Sequence, residues 1–196
     1  ATIYGSTVSF KINEDHFINP INPYGKTKAA VENLLTDLYQ SDDKWSIASL
    51  RYFNPVGAHS SGMIGEYPLG IPNNLFPLIS NVAAGSIEKL KVFGSDWPTT
   101  DGTGVRDYIH VNDIAEGHCD AIKYLTEIKN GKLLKINLGT GKGHTVLEVI
   151  SAFSKVTGNK IPYEIVERRS GDNGISIADP SLAVSYTHLT LPTTST

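Results

Sequence analysis

Sulfur is almost absent from this chain: one cysteine and one methionine in 196 residues. A single cysteine, Cys119, excludes a disulfide within the chain, which fits a reducing compartment such as the cytoplasm. No apolar run reaches the roughly 18 residues that a membrane-spanning helix needs, and no signal peptide is legible. Basic clusters are also missing. With a net charge of −3, the expectation is no nucleic-acid partner and no membrane. Residues 180–196 contain no Asp, Glu, Lys or Arg and close on "LTLPTTST". No period suited to burial runs through them, so they read as a non-native-looking tail. The chain opens on Ala1 in a strand-like "ATIYG", and both ends read as cuts.

The composition that remains is that of a globular protein, 40% hydrophobic and 19% charged. Residues 1–5 read as a strand and 6–22 as an irregular loop. A helix is predicted from about Pro23 to Gln40, with Ala29, Ala30, Leu34, Leu35 and Leu38 facing inward. "SIASLRYF" (46–53) reads as a buried strand and 54–73 as a long loop rich in Gly and Pro. "NLFPLISNVAAG" reads as a helix, "LKVFG" (90–94) as a strand and 95–104 as a second polar loop. "VRDYIH" reads as one strand leading into a helix capped by Asn112 or Asp113 and running to about Leu125. "LLKINLG" (133–139) is a strand. Thr145 and Glu148 form a capping box opening a helix that stops at Gly158, and "IPYEIVE" (161–167) is a last strand. Strands alternating with helices indicate an α/β fold with a mainly parallel sheet. Loops beyond about 15 residues are uncommon and usually functional.

Two motifs invite chemistry. "NLGTGKGH" (137–144) follows a strand and precedes a helix, as a phosphate loop would. Its glycines at 139, 141 and 143 give G-x-G-x-G rather than G-x-G-x-x-G, and no acidic residue about 20 positions on completes a ribose site. It reads as a tight turn. The second motif is "NPYGKTK". Asn22 can cap a helix with Pro23 at its first position, and Tyr24 and Lys28, four apart, share one helix face. A solvated lysine beside a half-buried ring is the plainer reading of such a pair.

"NPYGKTK", "LRYFNPVGAH", "GIPNNLFP", "DGTGVRDYIHVNDIAEGH" and "RRSGD" occur here in the order known from one family. Over about residues 1–179 the chain resembles the UDP-glucose 4-epimerases (UDP-galactose 4-epimerases), which are extended short-chain dehydrogenases/reductases. The resemblance implies an α/β fold: the C-terminal part of an NAD-binding Rossmann-type doubly wound sheet plus a smaller α/β substrate-binding domain. Residues 1–53 would close the dinucleotide-binding domain. Residues 54–179 would mainly bind the UDP-sugar, with a segment around 106–140 returning to the first domain.

Tyr24 and Lys28 fall on the family's Y-x-x-x-K pair. A tyrosine with a pKa near 10 is a poor base at neutral pH unless a nearby cation, such as an ammonium one turn away, favours its phenolate. It could then take a sugar hydroxyl proton while hydride leaves that carbon for NAD. In the family the 4-keto sugar turns over and hydride returns to its opposite face. Lys28 would also bind the nicotinamide ribose, and Phe53 would contact NAD.

The resemblance implies substrate contacts from Thr2, Asn54, Asn74, Leu75, Lys91, Val92, Phe93, Arg106, Arg169, Asp172 and Ser176. Of these, Asn74, Leu75, Arg106 and Arg169 would meet the diphosphate, Lys91 to Phe93 the uracil, and Asp172 the ribose. Without the resemblance, Asn73 or Asn74 could simply cap a helix, Arg106 could pair with Asp107, and an Arg pair would be solvated surface. The implied partners are UDP-glucose and UDP-galactose, UDP-N-acetylhexosamines if Ser176 stands for a bulkier gate, and a second copy in a homodimer.

Three departures stand out. The family serine before "ATIYG" and the Gly-rich NAD-binding half are not in this sequence, and the segment after "RRSGD" differs. The isolated chain is therefore expected to be inactive. The alternative readings are another sugar-nucleotide epimerase, dehydratase or decarboxylase on the same scaffold, or a non-catalytic sugar-nucleotide-binding module.

Overall fold

The structure, a computed structural model, describes residues 1–6, 10–66 and 68–187. A 3-10 turn, Thr2–Tyr4, precedes helix α1 (Pro23–Ser41), strand β1 (Ser46–Tyr52) and strand β2 (Asn54–Val56). Then follow α2 (Leu75–Ala83), β3 (Leu90–Phe93), β4 (Val105–Arg106), β5 (Tyr108–His110) and α3 (Val111–Glu127). The chain continues with β6 (Lys132–Leu138), β7 (His144–Thr145), α4 (Val146–Thr157), β8 (Tyr163–Val166), β9 (Ile175–Ser176) and α5 (Ser181–Thr187). The tail read from residue 180 is corrected over its first part: Ser181–Thr187 form helix α5, with Ala183 buried and Leu182 and Tyr186 packed on the core, while residues 188–196 lie outside the described residues.

Pairing is mostly parallel, as alternating strands and helices require. β1 runs beside β6 with Ser46 opposite Lys132 and Tyr52 opposite Leu138. β2 pairs with β5, and β3 with β8. β4 lies between β9, parallel, and β7, antiparallel. One apolar core joins α2 and α4 to β3 through Ile79, Val82, Leu90, Val92, Val149, Ile150 and Ile161. A second, Ile109, Ile114, Leu134, Ile136, Leu138 and Ala183, sits beneath α3 and α5. A third gathers Ile3, Tyr4, Ile12, Ala29, Phe53 and Ala178 behind the start of α1.

Local signals were honoured closely. Asn22 accepts from the Gly25 amide at 2.7 Å. Thr145 and Glu148 exchange both capping-box bonds, and Gly158 ends α4 at φ 69°. The misreadings are of both kinds, local and long-range. Residues 2–4 form a 3-10 turn instead of a strand: the Tyr4 amide donates to the Ala1 carbonyl at 3.2 Å, and no described strand offers them a ladder. "VRDYIH" breaks at Asp107, where the chain passes from β9, through the Asp107 amide on Ser176 O, to β2, through Asp107 O accepting from the Asn54 amide. His110, rather than Asn112 or Asp113, caps α3 by accepting from the Asn112 amide at 3.2 Å. The loop predicted from 54 starts as strand β2.

The buried face of α1 also differs from the apolar pattern. Gly25, Ala29 and Glu32 point inward, whereas Leu34 is 67% exposed and Leu38 is also exposed. Two contacts set that rotation. Gly25 approaches Thr2 so closely that a Cβ would lie 2.8 Å from its carbonyl oxygen, and Glu32 reaches a buried guanidinium on β1, Arg51.

Candidate active site

The cap and the close approach of Gly25 aim the first turn of α1 at an open cavity of about 540 Å³. Tyr24 is 63% exposed there, and the Lys28 ammonium stands 5.3 Å from the centre of its ring. Thr2, Phe53, Asn54, Arg106, Asp172 and Ser176 line the same space. The Phe53 side chain is buried in the core behind α1, and its amide is pinned to Leu138 O at 2.9 Å.

Behind this cavity α1 is bolted to the sheet. The Arg51 guanidinium donates to both Glu32 carboxylate oxygens, to Tyr4 Oη at 2.6 Å and to Glu14 O at 3.0 Å. Tyr4 in turn donates to Asn137 Oδ1 at 2.6 Å. Burial works to raise the Glu32 carboxyl, but the hydrogen bond and charge of Arg51, with Lys135 and Ser49, outweigh it and hold the group below the ordinary value. Burial also works against the Arg51 charge, and its Glu32 and Tyr4 partners reverse that.

A second cavity, about 190 Å³, adjoins the first. Asn74 and Leu75 at the start of α2 line it, with Lys91, Val92 and Phe93 of β3, Arg106, Arg169 and Asp172. Asn74 is the N-cap residue, yet its side chain makes no cap bond and donates instead to Glu66 Oε1 at 3.1 Å. The Arg169 guanidinium lies 4.5 Å from the Phe93 ring centre and donates to Asp172 Oδ2 at 3.0 Å. Tyr108 lies in the wall, its hydroxyl pushed up to about 12 by burial.

Asn54, Pro55, Arg106, Asp172 and Asn173 line both cavities, so the two spaces communicate. Arg106 is the unusual member. It is withdrawn from water, which pulls its guanidinium below the ordinary value despite the nearby Asp172. Among the described residues it makes no ion pair and donates only to Val105 O at 3.0 Å and, weakly, to Gly174 O at 3.5 Å. A guanidinium stays protonated at neutral pH, so this is a positive charge facing a cavity with its planar fork largely unused, the arrangement that suits an anion with paired oxygens.

Every residue named from the resemblance lines one cavity or the other. Sequence reasoning missed Glu66, Trp97, Tyr108 and Asn173. Glu66 lay in the long loop 54–73 and Trp97 in the polar loop 95–104, and Asn173 directly follows Asp172. None of the three carries a motif of its own.

The Gly-rich segment is a turn, as expected, and its packing shows why it cannot hold a phosphate. The amides of Thr140 and Gly141, at 2.8 and 2.9 Å, already donate to the buried Asp107 carboxylate, as do the Thr140 hydroxyl at 2.6 Å and the Ala178 amide at 3.1 Å. A Cβ at Gly139 would fall 2.5 Å from Ala178 Cβ.

The family model for the NAD-dependent epimerase/dehydratase family matches residues 1–139. The UDP-glucose 4-epimerase of Bacillus subtilis (strain 168) is 52% identical over 183 residues, covering 93% of this chain and 53% of that protein. The chain thus spans about half the length of the curated relatives it matches. A crystal structure of UDP-glucose 4-epimerase from Stenotrophomonas maltophila, with bound NAD and formylated UDP-arabinopyranose, is 49% identical, with a TM-score of 0.92 over 96% of this chain and 55% of that one. The Bifidobacterium longum enzyme, in complex with NAD+ and UDP, is 46% identical with a TM-score of 0.91, over 96% of this chain and 56% of that one. Sequence, fold and the paired cavities agree: the chain belongs to the NAD-dependent epimerase/dehydratase family.

Proposed function

We propose that the full-length protein interconverts UDP-glucose and UDP-galactose by transient oxidation at C4 of the sugar, with NAD bound. One observation carries the reading: the Tyr24–Lys28 face opens directly into a second cavity that holds an uncompensated, partly buried arginine. A nucleotide sugar has the matching shape, a reactive ring at one end and a diphosphate at the other.

The cavity beside Tyr24 is large enough, and polar enough at Thr2, Tyr24, Lys28 and Asn54, to take a nicotinamide ribose end next to a sugar. The described residues offer no free amide cradle for the cofactor's pyrophosphate at the Gly-rich turn, because Asp107 fills it. The fit is therefore to the nicotinamide end, with Lys28, Tyr24 and Phe53 as the residues that would hold it. When bound, NAD supplies the acceptor and donor of the C4 hydrogen.

This chain's residues do the rest. Tyr24 takes the proton of the 4-hydroxyl and returns it, with the Lys28 ammonium standing over its ring. Thr2 and Asn54 hold the sugar, and Ser176 faces it. The diphosphate lies between Arg106, Arg169 and the start of α2 at Asn74 and Leu75, where unpaired helix amides attract an anion. Lys91, Val92 and Phe93 flank the base, and Asp172 takes a ribose hydroxyl. The small Ser176 leaves room for an N-acetyl group, so UDP-N-acetylhexosamines fall within the proposed range. Assembly as a homodimer in the cytoplasm completes the reading, as does inactivity of residues 1–196 alone.

The test is Tyr24→Phe in the full-length protein. It deletes the proton acceptor and little surface, so turnover should fall by about 10² to 10⁴, while UDP binding by calorimetry stays near that of the unsubstituted protein. A phenylalanine variant that still interconverts the two sugars at near-normal rate would sink the assignment.

A further inference from the structure

The loop that carries Arg169 and Asp172 and leads into Ser176 on β9 is fastened to the chain that flanks Tyr24, and the fastening runs through Asn173. Its Nδ2 donates to Gly5 O at 2.7 Å, and its Oδ1 accepts from Ser6 Oγ at 3.0 Å. The first of these partners is fixed in place. Gly5 adopts φ 66°, and a Cβ there would fall 2.0 Å from Asn19 O. Asn19 itself donates its amide to Ile3 O at 3.0 Å, so the chain before Gly5 is tied to the chain leading into α1. Two residues before Asn173, Gly171 at φ 80° approaches the α1 cap, with its Cβ position 3.4 Å from Asn22 Cβ. Asn173 is also among the few residues lining both cavities.

We propose that Asn173 is a positioning residue that sets the register between the loop gripping the nucleotide and the helix start presenting Tyr24. The proposal rests on the functional reading above. Arg169 and Asp172 act on the nucleotide from one side of Asn173, and Ser176 faces the sugar from the other. A bound nucleotide sugar is held at its diphosphate but reacts at its ring. Its reacting carbon therefore meets Tyr24 correctly only if the two segments keep their spacing. A displacement of about 1 Å at a reacting centre can cost on the order of 10²-fold in rate. The diphosphate contacts of Arg106 on β4 and of Asn74 and Leu75 at the start of α2 do not pass through Asn173 and would not sense it.

The test uses the full-length protein and three measurements: kcat with UDP-glucose, the UDP dissociation constant and the melting temperature. Asn173→Ala should lower kcat by about 10- to 100-fold, with the UDP constant within about threefold and the melting temperature nearly unchanged. Ser6→Ala should give a smaller loss of the same kind, and adding it to Asn173→Ala should cost nothing more, because both act through one link. An unchanged kcat, a loss shared equally by UDP binding and melting temperature, or fully additive losses would each overturn the proposal. Turnover by the unsubstituted protein reports separately on the functional reading. If that protein is inactive, the reading fails first and the register role falls with it.

Discussion

Arg51 and Arg106 are both guanidinium groups drawn out of water, and the molecule treats them in opposite ways. Arg51, 5% exposed, has each of its three guanidinium nitrogens donating to Glu32, Tyr4 or the Glu14 carbonyl. Among the described residues, Arg106 donates only to carbonyl oxygens. A buried charge is costly unless paired and hydrogen-bonded. The pairing of Arg51 therefore marks a structural bolt, and the lack of it at Arg106 is what supports the anion site proposed there. Both line the Tyr24 cavity, so position alone would not separate them; their partners do.

The largest effect should come from cutting the bolt. Arg51→Ala leaves the Glu32 carboxylate buried with Ser49 at 3.2 Å and Lys135 at 3.6 Å. Removing one partner of a buried pair typically costs about 3–5 kcal/mol, readable as a lower urea midpoint of the full-length protein. A loss under about 1 kcal/mol, the level of an exposed pair, would erase the distinction between the two arginines. Arg106→Leu should do the reverse, leaving the urea midpoint nearly unchanged because no protein carboxylate is orphaned. UDP affinity should drop by about 10- to 150-fold, the equivalent of the ~1.5–3 kcal/mol of a hydrogen bond to a charged group. A fall in stability matching that of Arg51→Ala, with UDP binding intact, would place Arg106 among the bolts.

The smallest effect is the pH dependence of Glu32. Its folded pKa lies below the unfolded value, which is near 4.3. The stabilisation is therefore complete above that unfolded value and is lost as pH falls through the lower folded one. Glu32→Gln should be less stable than the unsubstituted protein at neutral pH, with the gap narrowing on acidification through this window. A gap that stays constant from neutral to acid would mean that the ionised form of Glu32 contributes nothing.

What the sequence disclosed about these regions follows the range of the interactions. Asn22, Thr145, Glu148 and Gly158 act on neighbours within a turn, so their roles could be read directly. The rejection of the Gly-rich segment was also legible, from spacing alone. The bolt was not. Arg51 and Glu32 lie nineteen positions apart, and their pairing turned α1 so that an ionised residue went inward and Leu34 outward, against the apolar pattern. The break at Asp107 was hidden for the same reason, since both strands it separates find their partners far along the chain. In the site, "NPYGKTK" and "RRSGD" were visible as motifs. Asn173 and Glu66 act only through groups that the fold brings to them.

The Asp107 carboxylate has a consequence beyond its own packing. Tethered to the backbone, it faces the amides of Thr140, Gly141 and Ala178 at an effective concentration that a dissolved anion cannot match. The turn is in effect permanently inhibited as a phosphate receptor by a ligand the chain carries itself. Phosphate or sulfate added to the solvent should leave it untouched, and should compete with a nucleotide only where Arg106 and Arg169 wait at the other end of the molecule's chemistry.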